Sequence, residues 1–238
     1  MKILAADTGT NICSVAVCGD GEILAEISAN TRQTHSRHLL RLVRQALDMA
    51  GLSISEIDAF AAATGPGSFT GLRIGVASIQ GLAAASGKPA AGIPSLKALA
   101  WQAPFASGRV IPFVEAGRGE VFFRLCRFAD SGLETLQDDA VMPPGKALEG
   151  LTGPCFFIGN AALRRRGLIE KTLGEAAFFP PSCHHHLRPS TLAFLAREKI
   201  QKQKGPGPGP LAPRYVRKPD AEVKRRLLEP GFRVPDGP

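Results

Sequence analysis

The residues whose types and spacing could do chemistry lie in a few short stretches. Asp7-Thr8-Gly9-Thr10 closes an apolar run, and an aspartate, a glycine turn and two hydroxyls can hold a phosphate, with the carboxylate beside a metal. The same four residues also suit an ordinary hairpin turn, so both readings stand. Thr64-Gly65-Pro66-Gly67-Ser68-Phe69-Thr70-Gly71-Leu72-Arg73-Ile74-Gly75 is glycine-rich where an apolar run gives way to a helical segment. Such a turn can cradle phosphate, but the lysine of G-x-x-x-x-G-K-[ST] is missing and the spacing is not G-x-G-x-x-G. Packing is the favoured reading. Gly71, Gly75, Ser78, Leu82 and Ala85 recur at helical spacing, which makes one small face that another backbone can approach. Helical glycine costs about 1 kcal/mol against alanine, a loss that tight packing on a partner offsets.

Other candidates carry less. His35 and His38 precede a helix without a third ligand nearby, so capping or surface contact is expected rather than metal binding. Cys183-His184-His185-His186 lacks the paired spacing of a zinc site and reads as a variable loop. No Ser/His/Asp set, H-E-x-x-H or recognisable carboxylate pair supports a peptidase or nuclease.

These residues need elements to position them. Ile3 to Asp7, Ile12 to Cys18 and Glu22 to Ser28 read as three strands joined by tight turns, hence antiparallel neighbours. Leu39, Leu40, Val43, Ala46, Leu47 and Ala50 form a helical stripe ended by Gly51. Ser53 to Glu56 has the pattern of a capping box, and a strand at Ala59 leads into a helix capped by Ser68 and running to Ser86. Ala90 to Ile93 reads as a brief strand and Pro94 to Ala103 as a helix. At Arg109 the plan restarts: Val110 to Glu115 is a strand ending on an acid, Ala116-Gly117-Arg118-Gly119 a turn, and Glu120 to Phe128 a returning strand. That order implies an internal duplication and a two-lobed α/β chain. Cys155 to Ala162 reads as strand, turn and helix, and a further helix around Leu192, Leu195 and Ala196 is capped by Ser190 or Thr191. Residues 1–104 are expected to form a complete N-terminal lobe that binds a partner. Residues 105–238 form a reduced second lobe with a Gly/Pro-rich loop at 204–210 and a frayed tail.

With 238 residues, 44% of them hydrophobic, the chain can bury a real core. No apolar run approaches the roughly 18 residues of a membrane span. Asp7 arrives too early for a signal-peptide core, so a cytoplasmic protein is expected. Five scattered cysteines without a C-x-x-C pair suggest reduced thiols. A net charge of +8 permits contact with an acidic partner such as tRNA, although no RNA-binding module is evident.

The stretch Thr64 to Gly75 resembles the signature of the TsaB (YeaZ) family, the non-catalytic subunit in bacterial biosynthesis of threonylcarbamoyladenosine on tRNA. The resemblance runs closely from Ile3 to about Ser95 and more loosely to Arg217. Glu115-Ala116-Gly117-Arg118-Gly119-Glu120-Val121 stands where the family has Asp-Ala-Arg-Arg-Gly-Glu-Val, and Asn160 where it has an acid. Pro213-Arg214-Tyr215-Val216-Arg217 is similar to its terminal Pro-x-Tyr-Leu-Arg. The resemblance implies an actin/Hsp70/sugar-kinase-like (RNase H-like) fold, in which Asp7, Thr8, Gly9 and Thr10 would be the phosphate-binding turn. It implies no catalysis by the chain alone. The TsaD paralogue would be held in a working state for transfer of threonylcarbamoyl, made by TsaC, to the adenosine beside the anticodon of ANN-decoding tRNAs. The ATPase TsaE would complete the assembly, and a homodimer would form in the absence of TsaD. Contact with tRNA would be indirect. The pairing surface maps to two helices and to His38, Arg41, Leu42, Gln45, Gly71, Arg73, Gly75, Ser78 and Leu82. No tightly bound cofactor or metal is expected, and ATP or ADP with Mg would belong to the complex interface. The catalytic paralogue's H-x-x-x-H metal motif is not carried over, because this chain has H-x-x-H at His35 and His38. The competing readings are a stand-alone actin-like nucleotide-binding phosphotransferase or ATPase and a glycoprotease-like peptidase.

Overall fold

The computed structural model describes residues 1–30, 34–202 and 211–217. Strand β1 (Lys2–Asp7) turns into β2 (Ile12–Gly19), and β2 into β3 (Glu22–Asn30). Turns this short force antiparallel pairing, with Ile3 opposite Cys18 and Asp7 opposite Ser14. The chain leaves the sheet as α1 (Leu39–Ala50), returns as β4 (Ala59–Gly65), leaves as α2 (Phe69–Ser86) and returns as β5 (Ala90–Pro94). These crossovers make β1, β4 and β5 parallel and give the order β3-β2-β1-β4-β5.

Local chemistry sets the helix ends. Leu39, Leu42, Val43, Ala46 and Leu47 bury one stripe of α1, and Gly51 stops the helix in the left-handed region at φ 65°. The capping box forms around a single 3-10 turn, Ile54–Glu56, where Glu56 accepts from the Ser53 amide at 2.9 Å. Ser68 caps α2 by accepting from the Gly71 amide at 3.3 Å.

After α3 (Ser95–Trp101) a second sheet is built the same way. It comprises β6 (Arg109–Gly117), β7 (Glu120–Ala129), β8 (Gly132–Met142), β9 (Cys155–Ile158) and β10 (Ala177–Phe178). Its order, β10-β9-β6-β7-β8, read backwards repeats the first sheet strand for strand, including the antiparallel β6/β7 and parallel β6/β9 pairs. The duplication is therefore one of topology, and the two-lobed actin-like architecture follows from it. Helices α4 (Pro144–Leu148), α5 (Asn160–Arg164) and α6 (Arg166–Leu173) cover its outer face through Phe113, Phe157 and Ile169.

The first sheet's outer face is covered by α1 and α2, with Leu4, Val15 and Phe60 against Val43, Val76 and Ile79. Between the sheets lie α3 and α7 (Pro189–Lys202), where Ile3, Ala5 and Ala16 share one core with Val110, Phe122 and Ile158. Here the expected division of the chain needs correcting. Helix α7 falls in the stretch 105–238 assigned to the second lobe, yet it packs on β1, β2, β4 and β5. Its buried Leu192, Ala193 and Ala196 cover the face of the first sheet that α1 and α2 leave open. It also begins at Pro189, ahead of the expected cap at Ser190 or Thr191. The Gly/Pro tract 204–210 and the tail beyond Arg217 lie outside the described residues.

Candidate functional site

Strand β1 delivers Asp7 to the inner end of the first sheet, where its side chain is 2% exposed. Asp7 Oδ1 accepts from the Gly9 amide at 2.9 Å, and burial outweighs this bond, raising the carboxyl to about 6. Other polar groups of the turn are bonded as well. Thr8 Oγ1 donates to the Gly71 carbonyl at 2.8 Å, and Thr10 Oγ1 accepts from the Ile12 amide at 3.2 Å. The Gly9 carbonyl accepts from the Ser68 amide at 2.7 Å, and His35 Nε2 donates to the Thr10 carbonyl at 2.7 Å. The start of α2 and the 3-10 turn His35–Arg37 that leads into α1 are thus both tied to this one turn.

Three of the four glycines of the Thr64–Gly75 stretch serve that contact. A Cβ on Gly67 would lie 2.5 Å from the Gly9 carbonyl oxygen, one on Gly71 2.0 Å from the Thr8 carbonyl oxygen, and one on Gly75 2.3 Å from Thr8 Oγ1. The glycine-rich run is a socket for the Asp7–Thr10 turn of its own chain. This corrects the placement of Gly71 and Gly75 on a pairing surface: both are buried against Thr8, Gly71 against its backbone carbonyl and Gly75 against its side chain. Leu42 is likewise buried, 7% exposed, in the core under α1. Of the remaining candidates Arg41, Gln45 and Arg73 are exposed, and His38, Ser78 and Leu82 are half-buried. The small outward face of α2 is instead Thr70, Ala77, Gly81 and Ala84, where a Cβ on Gly81 meets no atom within 4 Å. On α1, exposed Leu40 and Met49 flank Arg41, Arg44 and Gln45.

In the second lobe the turn after β6 occupies the position that Asp7–Thr10 has in the first. Its acid, Glu115, is paired with Arg165 at 3.2 Å, and the Glu115 amide donates to Asn160 Oδ1 at 3.0 Å. Between the two turns lies a cavity of about 500 Å³ lined by Thr10, Asn11, Ser68, Asn160, Arg164 and Arg214 among others. That volume is in the range of small-molecule sites. Asp7 does not line it, facing instead a void of about 20 Å³ shared with Asn160 and His185. Such a void takes about one water, whereas Mg²⁺ keeps several. With one buried carboxylate, and with the Gly9 amide and Thr8 hydroxyl already spent, the turn does not fit a magnesium nucleotide. No group of three His, Cys, Asp or Glu among the described residues could hold a metal ion.

Several residues matter more than their sequence context suggests. His185, within the tract expected to be a variable loop, is 2% exposed. Its Nδ1 lies 2.9 Å from the Gly159 carbonyl oxygen and 3.2 Å from the Gly159 amide nitrogen, and its Nε2 lies 3.1 Å from the Pro180 carbonyl oxygen. Burial outweighs these backbone bonds and holds its pKa below the usual 6.5, favouring the neutral ring. The only signal was three adjacent histidines, which say nothing about which one turns inward. The segment Leu211–Arg217 closes the cavity mouth, and its motif had identified the residues without their contacts. Four of the five cysteines are buried thiols, Cys183 is exposed, and none forms a disulfide. No described helix is long and apolar enough to cross a membrane.

A family model described as "TsaD: tRNA N6-adenosine threonylcarbamoyltransferase" matches residues 22–225. The chain is 30% identical over 227 residues to "tRNA threonylcarbamoyladenosine biosynthesis protein TsaB" of Bacillus subtilis, covering 94% of this chain and 97% of that protein. It is 37% identical over 166 residues to the protein of the same name from Escherichia coli, covering 67% and 71%. A solved Pseudomonas aeruginosa structure, described as an uncharacterized protein with similarity to peptidase YEAZ, superposes with a TM-score of 0.75 at 29% identity, covering 91% of this chain and 99% of that one. A socket of glycines around a turn whose Gly9 amide and Thr8 hydroxyl are already bonded, on a duplicated two-lobed fold and with relatives at this level, places the chain in the TsaB (YeaZ) family.

Proposed function

We propose that this protein is a non-catalytic subunit in tRNA threonylcarbamoyladenosine biosynthesis, pairing with a TsaD-type threonylcarbamoyltransferase that the ATPase TsaE joins. Its substrate chemistry is the partner's: transfer of threonylcarbamoyl to the adenosine beside the anticodon of ANN-decoding tRNAs. The observation that carries the reading is the outer face of α1 and α2, where Leu40 and Met49 are 56% and 72% exposed and Ala77, Gly81 and Ala84 leave the α2 backbone bare. Small residues let two helices approach closely, and exposed apolar side chains beside them gain by burial. The names of the relatives support the pathway. Without the partner, the same face serves a homodimer. ATP or ADP with Mg at the interface would draw its phosphate donors from the partner, and tRNA meets the assembly rather than this chain alone.

The test is Gly81→Trp. This position is open in the free chain, so folding is retained while co-purification with the TsaD-type subunit drops by more than about tenfold in affinity, 1.4 kcal/mol. Undiminished co-purification sinks the reading. The cavity with Arg164 and Arg214 favours a second reading, a stand-alone nucleotide phosphotransferase or ATPase. Calorimetric titration of the lone protein with Mg-ATP separates the two: no heat is expected, and tight binding abolished by Arg164→Ala would establish the second.

A further inference from the structure

We infer that Leu211–Arg217 is an intramolecular clasp that ties the two lobes together across the mouth of their cleft. The segment is anchored to the first lobe at three places. The Arg214 amide donates to the Thr64 carbonyl at 2.7 Å, Leu211 packs against the core under α1 and α2, and the Tyr215 ring lies 4.8 Å from that of Phe69. The first lobe is shaped to receive it. A Cβ on Gly65 would sit 2.8 Å from the Arg214 carbonyl oxygen, so the glycine at the end of β4 leaves room for this strand of chain. Arg73 reaches from α2 to donate from Nε to Tyr215 Oη at 2.9 Å, with its guanidinium 3.9 Å above the Phe69 ring. Phe69, Arg73 and Tyr215 therefore form one stack.

Two residues further on, the segment holds the second lobe. Arg217 donates from Nη1 to the Ala116 carbonyl at 2.8 Å and pairs with Glu120, so one side chain grips both arms of the β6–β7 hairpin. Val216 packs on the core between the sheets. At the base of the cleft the lobes are already joined by that core, to which α3 and α7 contribute. Hinge opening about the core must part the mouth, and parting the mouth must break either the Tyr215 stack or the Arg217 grip. The clasp makes the cleft a fixed feature and holds the start of α2 in one position. The inference does not depend on the proposed function.

The test measures the separation of the lobes in the full chain. Spin labels at Met49→Cys on α1 and Lys146→Cys on α4, both exposed positions, are introduced with Cys183→Ser, which removes the one exposed cysteine. The parent should give a single narrow distance distribution, and Tyr215→Ala combined with Arg217→Ala should broaden it at least about twofold. Arg217→Ala alone, which leaves the first-lobe anchors intact, guards against loss of folding in the double variant and should give an intermediate width. Raising the salt should broaden the parent toward the Arg217→Ala result, because Arg217 and Glu120 are 21% and 31% exposed and such a pair is screened. Unchanged distributions in both folded variants would overturn the inference.

Discussion

At the scale of single residues, glycines that look alike in the sequence do opposite things. Gly71 and Gly75 face Thr8, whereas Gly81, on the same helix, faces nothing. Gly71→Ala should lower stability by about 3 kcal/mol, because the atom it would strike is a backbone carbonyl that cannot swing away. Gly81→Ala should instead raise the stability of the free chain by roughly 0.5–1 kcal/mol through helix propensity. Chemical denaturation of the two variants checks both signs. Asp7 sets a third expectation. Its folded carboxyl is raised from 3.8 to about 6, so proton binding favours the folded state. That contribution, on the order of 3 kcal/mol, is fully present below 3.8 and is lost as pH rises through about 6. Asp7→Asn should therefore gain stability over the wild type as the pH is raised across that window. A constant difference would contradict the assignment.

At the scale of elements, the beginnings of helices carry more of the site than their middles. Ser68 caps α2 while its amide bonds the Gly9 carbonyl, so the start of the helix and the Asp7–Thr10 turn fix each other. Ser68→Ala should cost about 1 kcal/mol, read as a shift of the denaturation midpoint. In the second lobe His185 does similar work from a loop, bonding the Gly159 turn that opens α5 to the Pro180 carbonyl. Its pKa is depressed, so its contribution is complete above 6.5 and disappears as pH falls through the lowered folded value. The stability gap between wild type and His185→Leu should narrow on acidification, and a gap independent of pH would show that the imidazole stays neutral throughout. Strand β8 shows the reverse case. Half-buried or exposed throughout at the sheet edge, with Arg124 reaching across to Asp138 and Asp139, it lacks the apolar alternation that makes strands legible.

At the scale of the whole molecule, the arrangement is five layers: α1 and α2, the first sheet, α3 and α7, the second sheet, and α4 to α6. A shared central core and a clasped mouth leave the cleft little freedom, which suits a subunit that presents a face more than one that closes on a substrate. The exposed surface of α1 and α2 is rooted, through His35 and Ser68, in the Asp7–Thr10 turn. Mixing the Gly81→Trp chain with wild type should leave any homodimer wild-type only, measured by native mass spectrometry. Mixed dimers at the statistical ratio would move the pairing surface elsewhere.

The sequence by itself determined the strands of the first lobe, the stripe of α1, the caps at Ser53 and Ser68, and the restart at Arg109, because each depends on neighbours a few residues apart. The twelve-residue run from Thr64 to Gly75 was enough to suggest the family. Only the tertiary structure decided what that run is for. Helical spacing places Gly71, Gly75, Ser78 and Leu82 near one another on α2 but is silent about what lies opposite, and opposite lies Thr8, more than sixty residues earlier. The same limit hid the return of α7 to the first sheet, the inward turn of His185 and the grip of Arg217 on Ala116. Each is a contact between distant segments that no local pattern records.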